Sequence, residues 1–135
     1  MIVLVDTNVL IDIIIDDAVW AESSLRAIRQ ASWRAPLAIN FVVYAELAAG
    51  YGDIAQLDAL MAEWDVALVE IPRQAAVLAG DAFKRYRQFG GMRTGVLSDF
   101  FIGAHAEAGK HPLLTRDVKR YRTYFPTVEL IVPAT

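Results

Sequence analysis

Four acids stand where apolar residues are expected, and their placement suggests chemistry. Asp6 follows directly on Ile2, Val3, Leu4 and Val5, a short continuous apolar run of the kind a strand buried on both faces requires. A carboxylate at the carboxyl end of such a strand lies on the edge where open α/β sheets bind ligands; it would equally serve as the cap of a helix starting near Asn8. Glu46 is the only charge in the nine residues FVVYAELAA at 41–49, and a buried carboxylate needs a cation or hydrogen-bond donors. An arginine from elsewhere in the chain would satisfy it too. Asp99 repeats the pattern in VLSDFFIGA at 96–104. Taken alone it would serve only the helix dipole, worth about 0.3 to 1 kcal/mol. Gly103, four residues on, is expected to leave that face free of bulk beside the carboxylate. Asp117 ends a later apolar run as Asp6 ends the first, or caps the helix after it.

As a set the acids have one shared use. If the strand order reverses between the first and fourth strands, all four converge on the crevice there. Oxygen-only donors suit Mg²⁺ or Mn²⁺ and not zinc, because the chain has no cysteine and no HExxH pair. Sites of this kind hydrolyse phosphodiesters by activating a water and stabilising the leaving oxygen, sometimes with two metals about 4 Å apart.

The elements that must position these acids alternate along the chain. After the first strand, helices are expected at 8–14 and 19–31, with a break at Asp16 and Asp17. A strand at 37–39 leads through Asn40, a natural N-cap, into a helix at 41–49 ended by Gly50 and Gly52. Then come a helix at 54–64, a strand at 67–71, a long helix at 73–89 and a glycine loop at 90–95. A helix at 98–108 closed by Gly109, a strand at 112–115, a short helix at 118–124 and a strand at 129–132 complete the chain. Five short strands separated by helices indicate one α/β domain over residues 1–135, a parallel sheet with helices on both faces.

Composition narrows the class. The chain has 135 residues, 56% hydrophobic and 21% charged, more apolar surface than a small monomer can hide, so burial against a partner or a second copy is expected. No apolar run approaches the roughly 20 residues needed to span a bilayer, and the N-terminus lacks the basic lead of a signal peptide, so a cytoplasmic protein is expected. Zero cysteines exclude disulfides and thiolate chemistry. The net charge of -3 conceals a division. Residues 1–72 hold three basic residues against eleven acids, a balance of -8, and the remaining 63 hold ten against five, a balance of +5. A local phosphate-binding face in the C-terminal half is compatible with that division.

The chain resembles a PIN-domain ribonuclease, in particular a VapC-type toxin of a type II toxin-antitoxin pair. The pieces that carry the resemblance are VDTNVLID at 5–12, AEL at 45–47, LSDFFIGAHA at 97–106 and LLTRD at 113–117. The resemblance implies a sheet of order 3-2-1-4-5, a divalent metal, RNA cleavage, a VapB-like antitoxin partner and a homodimer. It places Asp6, Glu46, Asp99 and Asp117 on the family's acidic quartet, Thr115 on a supporting position, and Thr7 and Asn8 beside the first acid. Where many relatives have serine or threonine three residues before the helix acid, this chain has Val43, which leaves the orientation of Glu46 open.

Arg93, Arg116, Lys119 and Arg120, with Arg122, are candidates for RNA phosphate contacts, and Tyr121 and Tyr124 for stacking on bases. The competing reading is a solvated basic helix face anchored by its tyrosines. His105 and His111 would be the pair for metal-free RNA cleavage, one mid-helix and one in a turn. Trp20, Trp33 and Trp64 read as core or interface. Two other functions stay open: a non-catalytic RNA- or protein-binding module on this fold, and a phosphotransfer domain. The latter needs a lysine by the acids or a second aspartate two residues after the first, and position 8 is Asn.

Overall fold

The central strand β1 (Val3–Val5) is at most 2% exposed at every position, which follows from its three consecutive branched apolar side chains. In the computed structural model, which describes residues 1–93 and 95–134, it lies in a five-stranded sheet. Its neighbours are β2 (Leu37–Asn40) and β4 (Leu113–Leu114), and the edges are β3 (Val66–Val69) and β5 (Leu130–Ile131). The order is β3-β2-β1-β4-β5, every pair is parallel, and Leu4 faces Ala38 on one side and Leu113 on the other. The strand order therefore reverses between β1 and β4, as the convergence of the acids requires.

Seven helices are described: α1 (Thr7–Ile14), α2 (Ala21–Arg34), α3 (Phe41–Tyr51), α4 (Ile54–Glu63), α5 (Arg73–Gln88), α6 (Leu97–Gly109) and α7 (Val118–Tyr124). Because β1 and β2 are buried at every residue, helices must cover both faces of the sheet. Helix α5 lies close along α6, with Ala75, Ala79 and Ala82 fully buried along one stripe. Phe83, Tyr86, Phe100, Tyr124 and Phe125 then form an aromatic cluster that joins α5 and α6 to α7 and its C-terminal end.

Several boundaries differ from expectation for local reasons. Helix α2 starts at Ala21 because the Asp17 carboxylate first takes the N–H groups of Val19 and Trp20, each at 2.9 Å. It runs on to Arg34 and stops where Ala35, which precedes a proline, turns extended. Gly50 lies inside α3 and the left-handed Gly52 follows it. Likewise Gly109 ends within α6, and the left-handed residue that stops the helix is Lys110, with φ 53°. β3 starts one residue early, just after a left-handed Asp65, and ends at Val69. Thr94, one member of the glycine loop, lies outside the described residues, as does Thr135. No described helix is long and apolar enough to cross a membrane.

Candidate functional site

Asp6 occupies the residue between β1 and α1, at the carboxyl end of the central strand, and caps α1. One oxygen, Oδ1, accepts from the Thr7 N–H at 2.8 Å at the start of α1. The other, Oδ2, accepts from Thr115 Oγ1 at 2.7 Å, Tyr121 OH at 3.0 Å and Asn8 Nδ2 at 3.3 Å. The residue is 4% exposed. Burial pushes its carboxyl up to about 6 from 3.8, the donors from Thr115 and Tyr121 pull against that, and the charge of Asp99 adds to it.

The other acids are arranged around this one by residues from distant parts of the chain. Thr7 Oγ1 donates to Glu46 Oε1 at 2.7 Å, tying α1 to α3. That bond fixes the half-buried Glu46, whose orientation the Val43 substitution had left open; Val43 itself is buried in the core. Asp117 stands at the N-cap position of α7 but its side chain makes no capping bond, so the capping role does not account for it. Its N–H donates instead to Thr115 Oγ1 at 3.0 Å. Thr115 is fully buried and so links Asp6 to Asp117. Asn8 completes the arrangement by accepting the Arg116 N–H at 3.2 Å.

Asp99, in the first turn of α6, is half-buried, and Arg120 Nη1 donates to its Oδ2. Burial raises its carboxyl above the usual range; Arg120 opposes this, while the charges of Asp117 and Glu46 add to it. Asp99 thus feels the charge of Asp117 and Glu46 and adds its own to Asp6. As they stand, however, no three His, Asp or Glu side chains among the described residues form a finished cation cage. The donor set consists of carboxylate oxygens with hydroxyl donors behind them, the donor type a hard divalent cation takes.

Other residues are placed differently from expectation. Tyr121 cannot stack on a base, since it is fully buried with its hydroxyl on Asp6. Burial and the nearby acids hold that phenol well above its ordinary value of 10, so it remains a donor. Arg116 does not face the crevice as a free phosphate contact. Its Nε and Nη2 donate to the two oxygens of Asp12 at 2.7 and 2.9 Å, and its guanidinium lies 4.6 Å over the Trp20 ring. Gly103 does not leave space beside Asp99, because its bare face is filled by the Phe125 ring, against which any Cβ would collide. Trp33 is 82% exposed, which removes the core half of its core-or-interface reading. Asp12 and Tyr121 are the supporting residues that sequence reasoning did not assign. Asp12 carried a signal, a lone acid in an apolar helix turn, of the kind used for Glu46.

Lys119 and Arg120 line one cleft of about 320 Å³ with Asp117, Thr123 and Tyr124. Arg93 is exposed in the glycine loop, its N–H donating to Tyr86 OH at 3.3 Å. A larger cavity, of about 490 Å³, opens at the opposite edge of the sheet around Met1, His111 and Pro112, and none of the four acids lines it. His111 there accepts the Ile2 N–H at 3.5 Å, and His105 is buried with Nδ1 3.3 Å from Asn40 Nδ2. Burial holds both imidazoles below their usual value. The two rings lie edge to face with their centroids 6.0 Å apart, His105 is buried, and neither hydrogen-bonds to any of the four acids.

Comparison with known proteins agrees with the fold. The fold matches solved structures described as VapBC2 from Rickettsia felis bound to a promoter DNA fragment, with TM-score 0.75, 20% identity and 98% of each chain covered. It also matches VapBC-1 from nontypeable Haemophilus influenzae, with TM-score 0.74, 20% identity and 96% of each chain. A third is FitAcB from Neisseria gonorrhoeae, with TM-score 0.69, 15% identity and 97% of each chain. No curated protein is significantly similar in sequence. The family model described as PIN domain matches residues 3–126, a span that holds all four acids and every residue hydrogen-bonded to them, and the chain belongs to the PIN domain family.

Proposed function

We propose that the protein is a metal-dependent endoribonuclease and the toxin of a toxin-antitoxin pair. The observation that carries the reading is the convergence of Asp6, Glu46, Asp99 and Asp117, from four separate segments, on the crevice where the strand order reverses. In this reading the four carboxylates hold Mg²⁺ or Mn²⁺. Such a cation, when bound, supplies Lewis acidity and a water of lowered pKa for phosphodiester hydrolysis. The chain's own residues do the rest. Thr115, Tyr121, Asn8 and the Thr7 N–H direct hydrogen bonds at Asp6 and fix the lone pairs it presents, while Thr7 Oγ1 fixes Glu46. RNA lies across the cleft of Lys119, Arg120, Thr123 and Tyr124, with Arg93 a further phosphate contact.

The solved relatives named above are described as VapBC and FitAcB assemblies, and for this chain we take the partner to be a VapB-like antitoxin. A small apolar groove between α1 and α3, lined by Ile11, Ile14, Ile15, Leu47 and Tyr51, runs up to Glu46. An antitoxin segment seated there would cover the crevice.

The test is RNA cleavage by the purified protein with Mg²⁺ or Mn²⁺. Asp6→Asn and Asp99→Asn are each expected to lower activity by at least ~10²-fold, and EDTA to abolish it. His105→Ala and His111→Ala should change it far less. Water attack on phosphorus leaves 5′-phosphate and 3′-hydroxyl ends, whereas attack by the ribose 2′-hydroxyl leaves a cyclic phosphate and a 5′-hydroxyl. Cleavage that survives EDTA with 5′-hydroxyl products would overturn the reading.

A further inference from the structure

We propose that Arg120 is a substrate-phosphate residue stored on Asp99, and that cation binding releases it into the cleft. The inference rests on the four acids being a cation site. Arg120 Nη1 donates to Asp99 Oδ2, and the two side chains are 25% and 26% exposed. The pair is partly buried and rests on a single hydrogen bond. It contrasts with the neighbouring pair from the same segment. Arg116 is held at both oxygens of Asp12, which is 3% exposed, accepts a third bond from Ser24 Oγ at 2.9 Å and lies beside Trp20. Arg116 is held at two carboxylate oxygens and a ring, Arg120 at one oxygen.

The Arg120 contact occupies one oxygen of one of the four acids. Asp99 is repelled by Asp117 and Glu46, and it gives an oxygen to the nearest cation, a guanidinium. A divalent ion at these acids would carry twice that charge, and Asp99, offering its carboxylate oxygens to it, would no longer need the single hydrogen-bonded arginine. The released side chain remains beside the cleft it already lines with Asp117, Lys119, Thr123 and Tyr124. A guanidinium there presents a planar fork that matches a phosphate diester, and Lys119 adds a second positive charge. Without a cation, then, the arginine neutralises Asp99; with one, it neutralises RNA backbone.

The experiment pairs calorimetric Mn²⁺ titration with RNA binding. A fluorescent single-stranded RNA oligonucleotide is mixed by stopped flow, and its anisotropy is read before turnover at several salt concentrations, with and without Mn²⁺. Wild type, Arg120→Gln and Arg120→Lys are compared, each first shown by melting to be folded. Arg120→Gln is expected to bind Mn²⁺ more tightly, by up to about 5-fold, since the ion pair no longer competes. With Mn²⁺ its RNA affinity should lose salt dependence by about 0.7 in log-log slope, the share of one phosphate contact on a single strand. Without Mn²⁺ its slope should equal wild type, and Arg120→Lys should keep the wild-type slope throughout. If wild type binds Mn²⁺ but Arg120→Gln binds it no more tightly, or loses the same slope with and without the ion, the stored-arginine inference is wrong and the acid site stands. If wild type binds no Mn²⁺, the acid site itself is wrong, and the inference falls with it.

Discussion

Asp6 combines deep burial with four hydrogen-bond donors, and these oppose each other. Its carboxyl is raised to about 6 because burial outweighs the donors from Thr115 and Tyr121. The folded state therefore binds this proton more tightly than the unfolded chain, whose carboxyl titrates near 3.8. The resulting stability is fully present below pH 3.8 and is lost as pH rises through about 6. In metal-chelated protein the shift corresponds to about 3 kcal/mol at most, and the raised Asp99 acts in the same direction. Chelated wild type should thus melt lower at pH 7 than at pH 5, and Asp6→Asn should remove most of that fall. Mn²⁺ should restore the pH 7 melting temperature in wild type only. A chelated wild type equally stable at both values would mean that Asp6 is not strained in the ionised form.

Among the elements, the segment after β4 does the most positioning, because Thr115, Arg116, Arg120 and Tyr121 all reach distant polar partners from it. Thr115 and Tyr121 turn inward to Asp6, Arg120 reaches across to α6, and Arg116 fastens the segment to α1 through Asp12. Asp12 also accepts from Ser24, so one buried carboxylate joins α1, α2 and this segment. Removing it strands a guanidinium that has lost both its hydrogen bonds. Asp12→Ala should therefore cost about 3 kcal/mol or more, read as a lower urea midpoint with an unchanged m-value. It should also weaken Mn²⁺ binding, since Asp117 adjoins Arg116. A midpoint within the range of an ordinary surface substitution would show that the Asp12 pair is not a fastening.

For the whole molecule, the apolar excess reappears as exposed side chains. Ile15, Val77, Trp33, Phe89 and Met92 are between 58% and 90% exposed, on α1, α2, α5 and the segment after α5. So many large apolar groups in water favour association. Light scattering is expected to give the mass of two 15.0 kDa chains, and co-expression with an adjacent antitoxin gene a stable complex with suppressed nuclease activity. Recovery of a fully active monomer from that co-expression would sink both expectations. Ile15 lines the groove beside Glu46, so Ile15→Asp should weaken the antitoxin complex while leaving the dimer intact.

The sequence by itself determined what depends on nearby residues. An apolar run ended by an acid, a lone charge in an apolar helix, and the Pro and Gly punctuation together marked β1, the alternation of strands with helices and the four acids of the crevice. These signals are local, since burial of a run, the capping of a helix and the bend at a glycine need only a few neighbours. Only the tertiary structure decided which polar side chains serve which acid. Arg116 and Asp12 are 104 residues apart, and Tyr121 and Asp6 are 115 apart. Arg116 and Arg120, four residues apart, look alike in sequence, yet one is locked against a buried aspartate and the other is held at one oxygen of Asp99. Tyr121 could have stacked on a base or anchored its helix, and the packing of α7 turned it inward onto Asp6. Gly103 was read as open space and is occupied by Phe125, because the partner that fills a glycine's bare face comes from another element of the chain. Desolvation, long-range pairing and the competition of several cations for a few carboxylates exist only once the sheet has brought those residues together.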